Sequence, residues 1–245
     1  MINMRICQVE DYAAMSRAAA DIIASQITEK PDCVLGLATG STPVGAYALL
    51  AERQRGGELS FERVRSVNLD EYYGLAPEHA QSYRYFMEKN LFGLVDIRPE
   101  NTNVPDGLAP DPVAECARYD RLIGDLGGID LQLLGLGENG HIGFNEPGPA
   151  FIPETHLVDL TESTVNANSR FFTSRDEVPR QALTMGIRAI MQARRVLVIV
   201  NGEKKAEAVK RAFAGPVVPD VPASVLQLHR DVVLVADKAA LSMLS

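Results

Sequence analysis

The sequence lacks several features that mark particular classes of protein. It has no tryptophan among its 245 residues, and its three cysteines, Cys7, Cys33 and Cys116, are widely separated. It contains no CxxC pair and no His/Cys spacing typical of zinc sites, so we expect neither a disulfide framework nor a bound zinc ion. Three scattered cysteines fit a protein of a reducing compartment.

Long hydrophobic runs and an excess of positive charge are also missing. No apolar run approaches the length of a transmembrane helix, and the first residues, MINMRICQVEDY, turn acidic too early for a secretory signal peptide. The net charge of -8 argues against non-specific binding to nucleic acid. We therefore expect no membrane or nucleic-acid partner, a cytoplasmic location, and a local positive site for any anionic ligand.

The composition that is present is that of a globular protein. Hydrophobic residues make up 46% of the chain and charged residues 23%, which is ordinary for a domain with a substantial core. Short apolar runs alternate with segments of helical periodicity, and this alternation predicts a three-layer α/β/α fold with a mainly parallel, Rossmann-like sheet. Because no repeat, linker or low-complexity segment interrupts the pattern, we expect a single domain over 1–245.

Apolar pattern and turn residues also give approximate bounds for the elements. Strands are predicted over 4–9, 33–38, 63–69, 129–136, 156–160, 196–200 and 231–236. Helices are predicted over 11–28, 44–53, 82–92, 112–126, 161–172, 179–192, 202–214 and 222–228.

The segment 134–149, LGLGENGHIGFNEPGP, carries the densest group of candidate functional residues. Its glycines and prolines exclude a helix, so a polar loop follows the central strand. Ligands bind at that end of strands in open α/β sheets. His141 is a candidate acid/base group with Asn139 and Glu146 as orienting partners. The pattern is also consistent with a structural histidine satisfied by the loop backbone.

The same segment contains Gly135-x-Gly137-x-x-Gly140, which matches the dinucleotide-binding fingerprint. That fingerprint requires a helix to start at its third glycine. The residues that follow here, HIGFNEPGP, do not form a helix. We therefore predict no nucleotide site here.

A second candidate segment lies between a predicted strand and a predicted helix and is suited to bind an anion. Its free main-chain N–H groups and three hydroxyls are typical of a phosphate cradle, although it lacks the lysine of a Walker loop. It consists of Thr39, Gly40, Ser41 and Thr42. A plain turn before a helix explains the same residues. Arg170 and Lys205 are candidates for further phosphate contacts, or are solvated charges on helices.

Asp70 and Glu71 end the third predicted strand. Because neighbouring residues on a strand point to opposite faces, at most one of the two carboxylates faces a site. Asp70 shares its face with Asn68. Taken alone, these acids are better explained as a solvated strand end or a helix cap.

Taken together, these segments resemble the glucosamine-6-phosphate deaminase family, in the right order and over nearly the whole chain. The combination of NGHIGFNEPG with an upstream NLDEY is highly specific. The related 6-phosphogluconolactonases share a TP loop and a GH-containing loop but continue with an apolar-rich segment after the histidine. The matching segments are GLATGSTP (36–43), VNLDEYYGL (67–75), SYRYFMEKNLF (82–92), LGLGENGHIGFNEPG (134–148), NSRFF (168–172), ALTMGI (182–187) and LQLHRDVVLVAD (226–237).

The resemblance implies conversion of glucosamine 6-phosphate and water to fructose 6-phosphate and ammonia, without a cofactor or a catalytic metal. It implies that Asp70 is the base that moves a proton between C2 and C1. It further implies that His141 assists ring opening, oriented by Glu146 and Asn139. The matching phosphate contacts are Thr39, Gly40, Ser41, Thr42, Arg170 and Lys205.

Two alternatives stay open beside this reading. A deaminase for galactosamine 6-phosphate would differ only at the C4 hydroxyl, and the sequence does not distinguish the epimers. A catalytically silent sugar-phosphate sensor is disfavoured, because a sensor need keep only the phosphate contacts, whereas this chain also keeps Asp70, His141 and Glu146. Many relatives have Asp where this chain has Asn139, which we expect to alter the pH dependence rather than the reaction. The oligomeric state is not predicted.

Overall fold

The computed structural model describes residues 4–169, 172 and 174–244, and this part of the chain forms two β-sheets with helices around them. Its strands are β1 (Met4–Val9), β2 (Val34–Leu37), β3 (Arg65–Asn68), β4 (Asp70–Tyr72), β5 (Thr102–Asn103), β6 (Leu131–Leu134), β7 (His156–Asp159), β8 (Gln181–Thr184), β9 (Arg195–Val200) and β10 (Val232–Asp237). Its α-helices are α1 (Tyr12–Glu29), α2 (Val44–Arg55), α3 (Tyr83–Asn90), α4 (Pro112–Asp125), α5 (Glu162–Asn168), α6 (Ile187–Gln192) and α7 (Ala206–Ala214).

The larger sheet has seven strands in the order β1-β10-β9-β6-β2-β3-β5, and all neighbouring strands in it are parallel. Strands β2, β6 and β10 are buried along their whole length, as expected for a sheet with helices on its faces. The predicted α/β fold with a mainly parallel, Rossmann-like sheet is confirmed. None of the described helices is long and apolar enough to cross a membrane.

Four of the described helices, α1, α3, α4 and α5, begin where the sequence supplies a capping side chain. Asp11 accepts the main-chain N–H of Ala14 at 2.8 Å, and Ser82 accepts that of Tyr85 at 3.1 Å. Such caps satisfy N–H groups that have no partner within the helix. These local signals explain why the bounds of α1 and α3 differ from prediction by no more than two residues.

The chain reverses its direction across the larger sheet between β2 and β6. From β2 the chain continues to β3 and β5 on one side, and it then returns to β6 on the other side of β2. The carboxyl ends of β2 and β6 therefore border a crevice. In open α/β sheets, this topological switch point is where ligands bind.

The predicted strand at 63–69 stops at Asn68, and the chain then enters the second sheet. Leu69 makes this transition: its N–H donates to Leu37 in the larger sheet, whereas its carbonyl accepts Met185 N–H at 2.7 Å. Asp70 is thus the first residue of β4 rather than the end of β3. The second sheet has the antiparallel order β4-β8-β7.

The prediction of one helix over 179–192 is wrong. The chain forms strand β8 and then the short helix α6, separated by Met185 and Gly186. Strand β8 obtains its hydrogen bonds from β4 on one side and β7 on the other. A β-carbon on Gly186 would lie 2.2 Å from the Pro153 carbonyl oxygen, so only glycine permits this close approach. Pairing with distant strands outweighs the local helical pattern.

Other differences are smaller. The helix predicted over 161–172 is limited to α5, and residues 170 and 171 lie outside the described part of the chain. The helix predicted over 202–214 begins as a 3-10 turn, Glu203–Lys205, before α7. The segment Pro222–Leu228 is a 3-10 helix.

Candidate active site

The predicted functional segments that the structure describes lie at one edge of the larger sheet. The segment 39–42 follows β2, Asp70 follows β3, the loop 135–149 follows β6, and Lys205 ends the turn after β9. Because these four strands are parallel, their carboxyl ends lie at the same edge. The first and third of these segments border the switch-point crevice between β2 and β6.

The loop after β6 is closed by its own main-chain hydrogen bonds and seats a histidine. The Gly137 N–H donates to the His141 carbonyl at 2.9 Å, and the Gly140 N–H donates to the Gly137 carbonyl at 3.0 Å. The His141 ring packs on Gly137, where a β-carbon would lie 2.5 Å from three ring atoms. Gly140 has a φ of +92°, which L side chains rarely adopt. The glycines that imitate a nucleotide-binding fingerprint therefore shape the histidine loop.

His141, Asn139 and Glu146 form one connected group in this loop. Asn139 accepts the main-chain N–H of His141 at 3.1 Å and donates to Glu146 Oε2 at 2.7 Å. The same carboxylate oxygen lies 3.5 Å from His141 Nδ1, which is longer than a well-formed hydrogen bond. Asn139 thus holds the histidine backbone and the carboxylate, not the imidazole ring. The His141 side chain is 23% exposed, whereas the Glu146 side chain is 6% exposed.

The surroundings of Glu146 favour its charged form. Burial alone would raise its pKa, but the contact with His141 and hydrogen bonds from Thr164 and Asn139 outweigh burial and hold the pKa at about 2. Thr161 donates to Glu146 Oε1 at 3.3 Å, and the Thr164 hydroxyl donates to the same oxygen. Both threonines lie at the start of α5, so Glu146 also ties this helix to the histidine loop.

Asp70 has the opposite surroundings. The residue is 5% exposed, and burial, followed by the negative charge of Glu71, raises its pKa from 3.8 to about 8. No hydrogen bond from a described residue stabilises its charge. A carboxylate in such surroundings is a stronger base than one in water, because its charged form is less stable.

Gly143 brings the histidine loop against Asp70. A β-carbon on Gly143 would lie 3.4 Å from Asp70 Oδ2 and 3.1 Å from Thr184 Oγ1. Thr184 is paired with Asp70 across β4 and β8, and its hydroxyl accepts the Phe144 N–H at 3.0 Å. The side chain of Thr184 therefore joins the strand of Asp70 to the loop of the histidine.

The segment 39–42 has the geometry of an anion cradle. Gly40 has a φ of +89°, and α2 follows directly, with main-chain N–H groups in its first turn that lack partners within the helix. The Tyr12 hydroxyl braces this turn, because it donates to the Ser41 carbonyl at 3.2 Å and accepts the Gly45 N–H at 2.9 Å. Main-chain N–H groups at a helix start favour phosphate binding.

Lys205 is half-buried at the end of the turn that follows β9. The main-chain N–H of Lys205 donates to the Gly202 carbonyl at 3.0 Å. The Gly202 N–H in turn donates to both carboxylate oxygens of Asp237 at 3.0 Å. This arrangement fixes the turn at the carboxyl edge of the sheet. Arg170, the other predicted phosphate contact, lies outside the described residues.

The described residues contain no metal-binding cluster, and a cavity lies at the opposite edge of the sheet. Within residues 4–169, 172 and 174–244, no group of three or more His, Cys, Asp or Glu side chains is arranged to bind a metal ion. A cavity of about 400 Å³ is lined by Gly127, Gly128 and Ile129 among others. These residues precede β6, so the cavity lies at the amino edge, opposite the candidate site.

Comparison with known proteins adds to this geometry. Residues 9–235 match the model of the family described as glucosamine-6-phosphate isomerases/6-phosphogluconolactonase. This chain belongs to that family. The resemblance inferred from the sequence motifs is thereby confirmed.

Relatives within the glucosamine-6-phosphate isomerase/6-phosphogluconolactonase family cover nearly the whole chain. A glucosamine-6-phosphate deaminase of Lachnoclostridium phytofermentans is 56% identical over 95% of this chain and 98% of its own. One of Clostridium perfringens is 54% identical over 98% of this chain and 100% of its own. A solved structure described as a monomeric glucosamine-6-phosphate deaminase has a TM-score of 0.96 and 47% identity, covering 98% of this chain and 100% of its own. The 6-phosphogluconolactonase of Trypanosoma brucei, with a TM-score of 0.78 and 20% identity over 100% of both chains, shares the fold.

The sequence analysis did not predict that two threonines, Thr184 and Thr164, support the candidate site. Thr184 was hidden because its segment was predicted as helix, and its partners Asp70 and Phe144 are distant in sequence. Thr164 contacts Glu146 from 18 residues away. A threonine in either place gives no local signal of its role, because the role depends on a long-range contact.

Proposed function

We propose that this protein is a glucosamine-6-phosphate deaminase that converts glucosamine 6-phosphate and water to fructose 6-phosphate and ammonia. The observation that supports it most is the placement of Asp70, a buried carboxyl group with a raised pKa, against the loop that holds His141. The reaction needs a base at carbon and a group that moves a proton between oxygens. The deaminases of Lachnoclostridium phytofermentans and Clostridium perfringens are more than half identical to this chain.

Ring opening is assigned to His141. The anomeric hydroxyl must lose a proton and the ring oxygen must gain one, and imidazole serves both transfers near neutral pH. The charged Glu146 carboxylate lies 3.5 Å from Nδ1, which favours a proton on that nitrogen. The other ring nitrogen, Nε2, is then left as the atom that exchanges the proton with the sugar.

Proton transfer between carbons is assigned to Asp70. In the open-chain sugar, its carboxylate takes the proton from C2, and that electron pair forms the C1–C2 double bond. The C1–O double bond opens at the same time, and O1 takes up a proton from solvent, which gives an enolamine. Return of the proton to C1 leaves an iminium group at C2, which water attacks, and ammonia then departs to leave the ketone. A C2 proton is weakly acidic, so the base must be strong and firmly held. Burial at the start of β4 supplies both conditions.

The phosphate group is assigned to the segment 39–42 together with Arg170 and Lys205. The phosphate takes no part in bond making, but its binding energy can position the reacting end of the sugar. The helix start at Val44 and the half-buried Lys205 support this assignment. With a net charge of -8, the chain needs such a local site to attract a dianion.

Ammonia release tests the proposal. The purified protein is given glucosamine 6-phosphate, galactosamine 6-phosphate and unphosphorylated glucosamine, before and after dialysis against a chelator. We expect rapid release from glucosamine 6-phosphate only, unchanged by the chelator. Preference for the galacto epimer would reassign the substrate, and binding without turnover of either phosphate would indicate a sensor. Equal turnover of unphosphorylated glucosamine would contradict the phosphate assignment.

A further inference from the structure

Glu71 is a buried carboxyl group to which the proposed mechanism gives no role. It is 2% exposed and adjoins Asp70 in β4. Because alternate residues of a strand point to opposite sides, its side chain leaves the active site and reaches α3. Burying a carboxylate is costly unless its partners are specific, and this one has specific partners.

The Glu71 carboxylate accepts hydrogen bonds from three main-chain N–H groups. Oε1 accepts from Tyr72 at 2.8 Å and from Tyr83 at 2.8 Å, and Oε2 accepts from Arg84 at 2.9 Å. Tyr83 and Arg84 open α3, so Glu71 binds the free N–H groups of the helix start. The strand that begins with Asp70 is thereby anchored to α3 immediately beside the candidate base.

The charge of Glu71 also acts on Asp70. Burial raises the pKa of Glu71 to about 7, although its three hydrogen bonds oppose that rise. In its charged form, Glu71 places a like charge beside Asp70. This charge is the second cause of the raised Asp70 pKa, and burial is the first.

Other titratable or charged groups around the pair have different arrangements. Tyr83 of α3 and Tyr119 of α4 are buried phenols that interact electrostatically with Asp70. Burial raises the pKa of each, so both are neutral between pH 5 and 10. The Arg84 guanidinium binds Thr102 and Glu88. Asp106 lines a cavity of about 250 Å³ with Glu71. On the loop side His141 faces Glu146, which leaves Glu71 as the charge that adjoins Asp70 directly.

We propose that Glu71 is a positioning residue for the reaction: it anchors β4 to the start of α3 and sets a second carboxyl group directly beside the base Asp70. This inference rests on the proposed function, in which Asp70 takes the C2 proton. A stronger base transfers a proton from a weakly acidic carbon faster, at the expense of activity at low pH, where that base is protonated.

The decisive variant is Glu71→Gln, which keeps the shape and can keep the bonds to Tyr72 and Tyr83 but removes the charge. We measure kcat and kcat/KM for glucosamine 6-phosphate between pH 5 and 10. Loss of the like charge should move the acidic limb of the kcat/KM profile to lower pH, by on the order of one pH unit. It should also lower the alkaline plateau of kcat several-fold while KM changes little.

Ser82→Ala is the matched control, because Ser82 caps the same helix through the Tyr85 N–H without carrying charge. It should lower the melting temperature but leave the acidic limb where the parent has it. Glu71→Asp keeps the charge and shortens the side chain by one methylene, so its acidic limb should stay and its kcat should fall at unchanged KM. This variant tests the positioning role even if Glu71→Gln does not fold.

The inference is overturned if Glu71→Gln keeps the parental acidic limb, or if Glu71→Asp keeps the parental kcat. A shift of the limb in Ser82→Ala would also overturn it, since loosening α3 would then suffice. Failure of the proposed function looks different: the parent would release no ammonia, or Asp70→Asn would remain fully active. Parental activity that is lost in Asp70→Asn, with no effect of Glu71→Gln, refutes only the role of Glu71.

Discussion

Asp70, which is buried, and Glu146, which is half-buried, carry carboxyl groups at the same edge of one sheet, yet their surroundings drive their pKa values apart. Glu146 accepts hydrogen bonds from Asn139, Thr161 and Thr164 and faces His141, and its pKa is held at about 2. Burial, followed by the negative charge of Glu71, raises the pKa of Asp70 to about 8. The surroundings thus produce a permanent charge in one place and a strong base in the other.

The difference teaches which group exchanges a proton and which supports a partner. A carboxylate with a pKa of about 2 does not take up a proton at neutral pH, so Glu146 can only orient and stabilise. A group with a pKa of about 8 is ready to exchange one. Active sites commonly assign acid/base roles through such opposed environments.

The largest expected effect comes from Asp70→Asn, which removes the base and keeps the shape. We expect kcat to fall by on the order of 10²-fold or more, with KM largely retained, because the phosphate end still binds. Steady-state ammonia release measures both constants. A nearly normal kcat would break the comparison and would make Glu71 the first suspect for the base.

Binding at the phosphate end should respond separately from either carboxylate. Arg170→Ala and Lys205→Ala should each weaken binding of the phosphorylated sugar by about 1.5–3 kcal/mol, as expected for a charged hydrogen bond. The effect should appear mainly in KM. Lys204→Ala is the control, since Lys204 is exposed and adjoins the half-buried Lys205. An equal effect of Lys204→Ala would indicate general charge attraction rather than a specific contact.

Glu146→Gln should have a smaller effect on activity than Asp70→Asn, about 10-fold in kcat, because Glu146 acts through His141. It also tests stability. The charge of Glu146 stabilises the fold above its unfolded pKa near 4.5, and this contribution is lost as the pH falls towards 2. The melting temperature of the variant should therefore lie below the parent's at pH 7 and approach it at low pH. Glu138→Gln, an exposed change in the same loop, should alter neither quantity.

Asp70→Asn should also produce a pH-dependent gain in stability, which is measured by the melting temperature and not by activity. Folding raises the pKa of Asp70 from 3.8 to about 8, so the folded protein holds a proton that the unfolded chain has lost. The stability contribution of Asp70 therefore falls as the pH rises through this window. Asparagine removes that penalty, and its advantage in melting temperature should be larger at pH 9 than at pH 5. An advantage independent of pH would show that the Asp70 pKa is not raised.

Most strands of the larger sheet were predictable because their signals are local. The segments around β9 and β10 are nearly continuous runs of Val, Leu and Ile, and β6 is rich in Leu; polar or turn-forming residues bound all three. The histidine loop was predictable for the same reason, since its glycines and prolines exclude regular structure and follow a buried run. The motifs in these loops sufficed to identify the family.

The sequence by itself determined the alternation of strands and helices, the position of the histidine loop and the family. The tertiary structure alone decided that 181–184 pairs as a strand, that Thr184 joins Asp70 to the histidine loop, and that Glu71 turns away to cap α3. Residue type and spacing report interactions within a few positions along the chain. The opposed pKa values of Asp70 and Glu146 instead arise from burial and from partners brought together by folding, which no local pattern records.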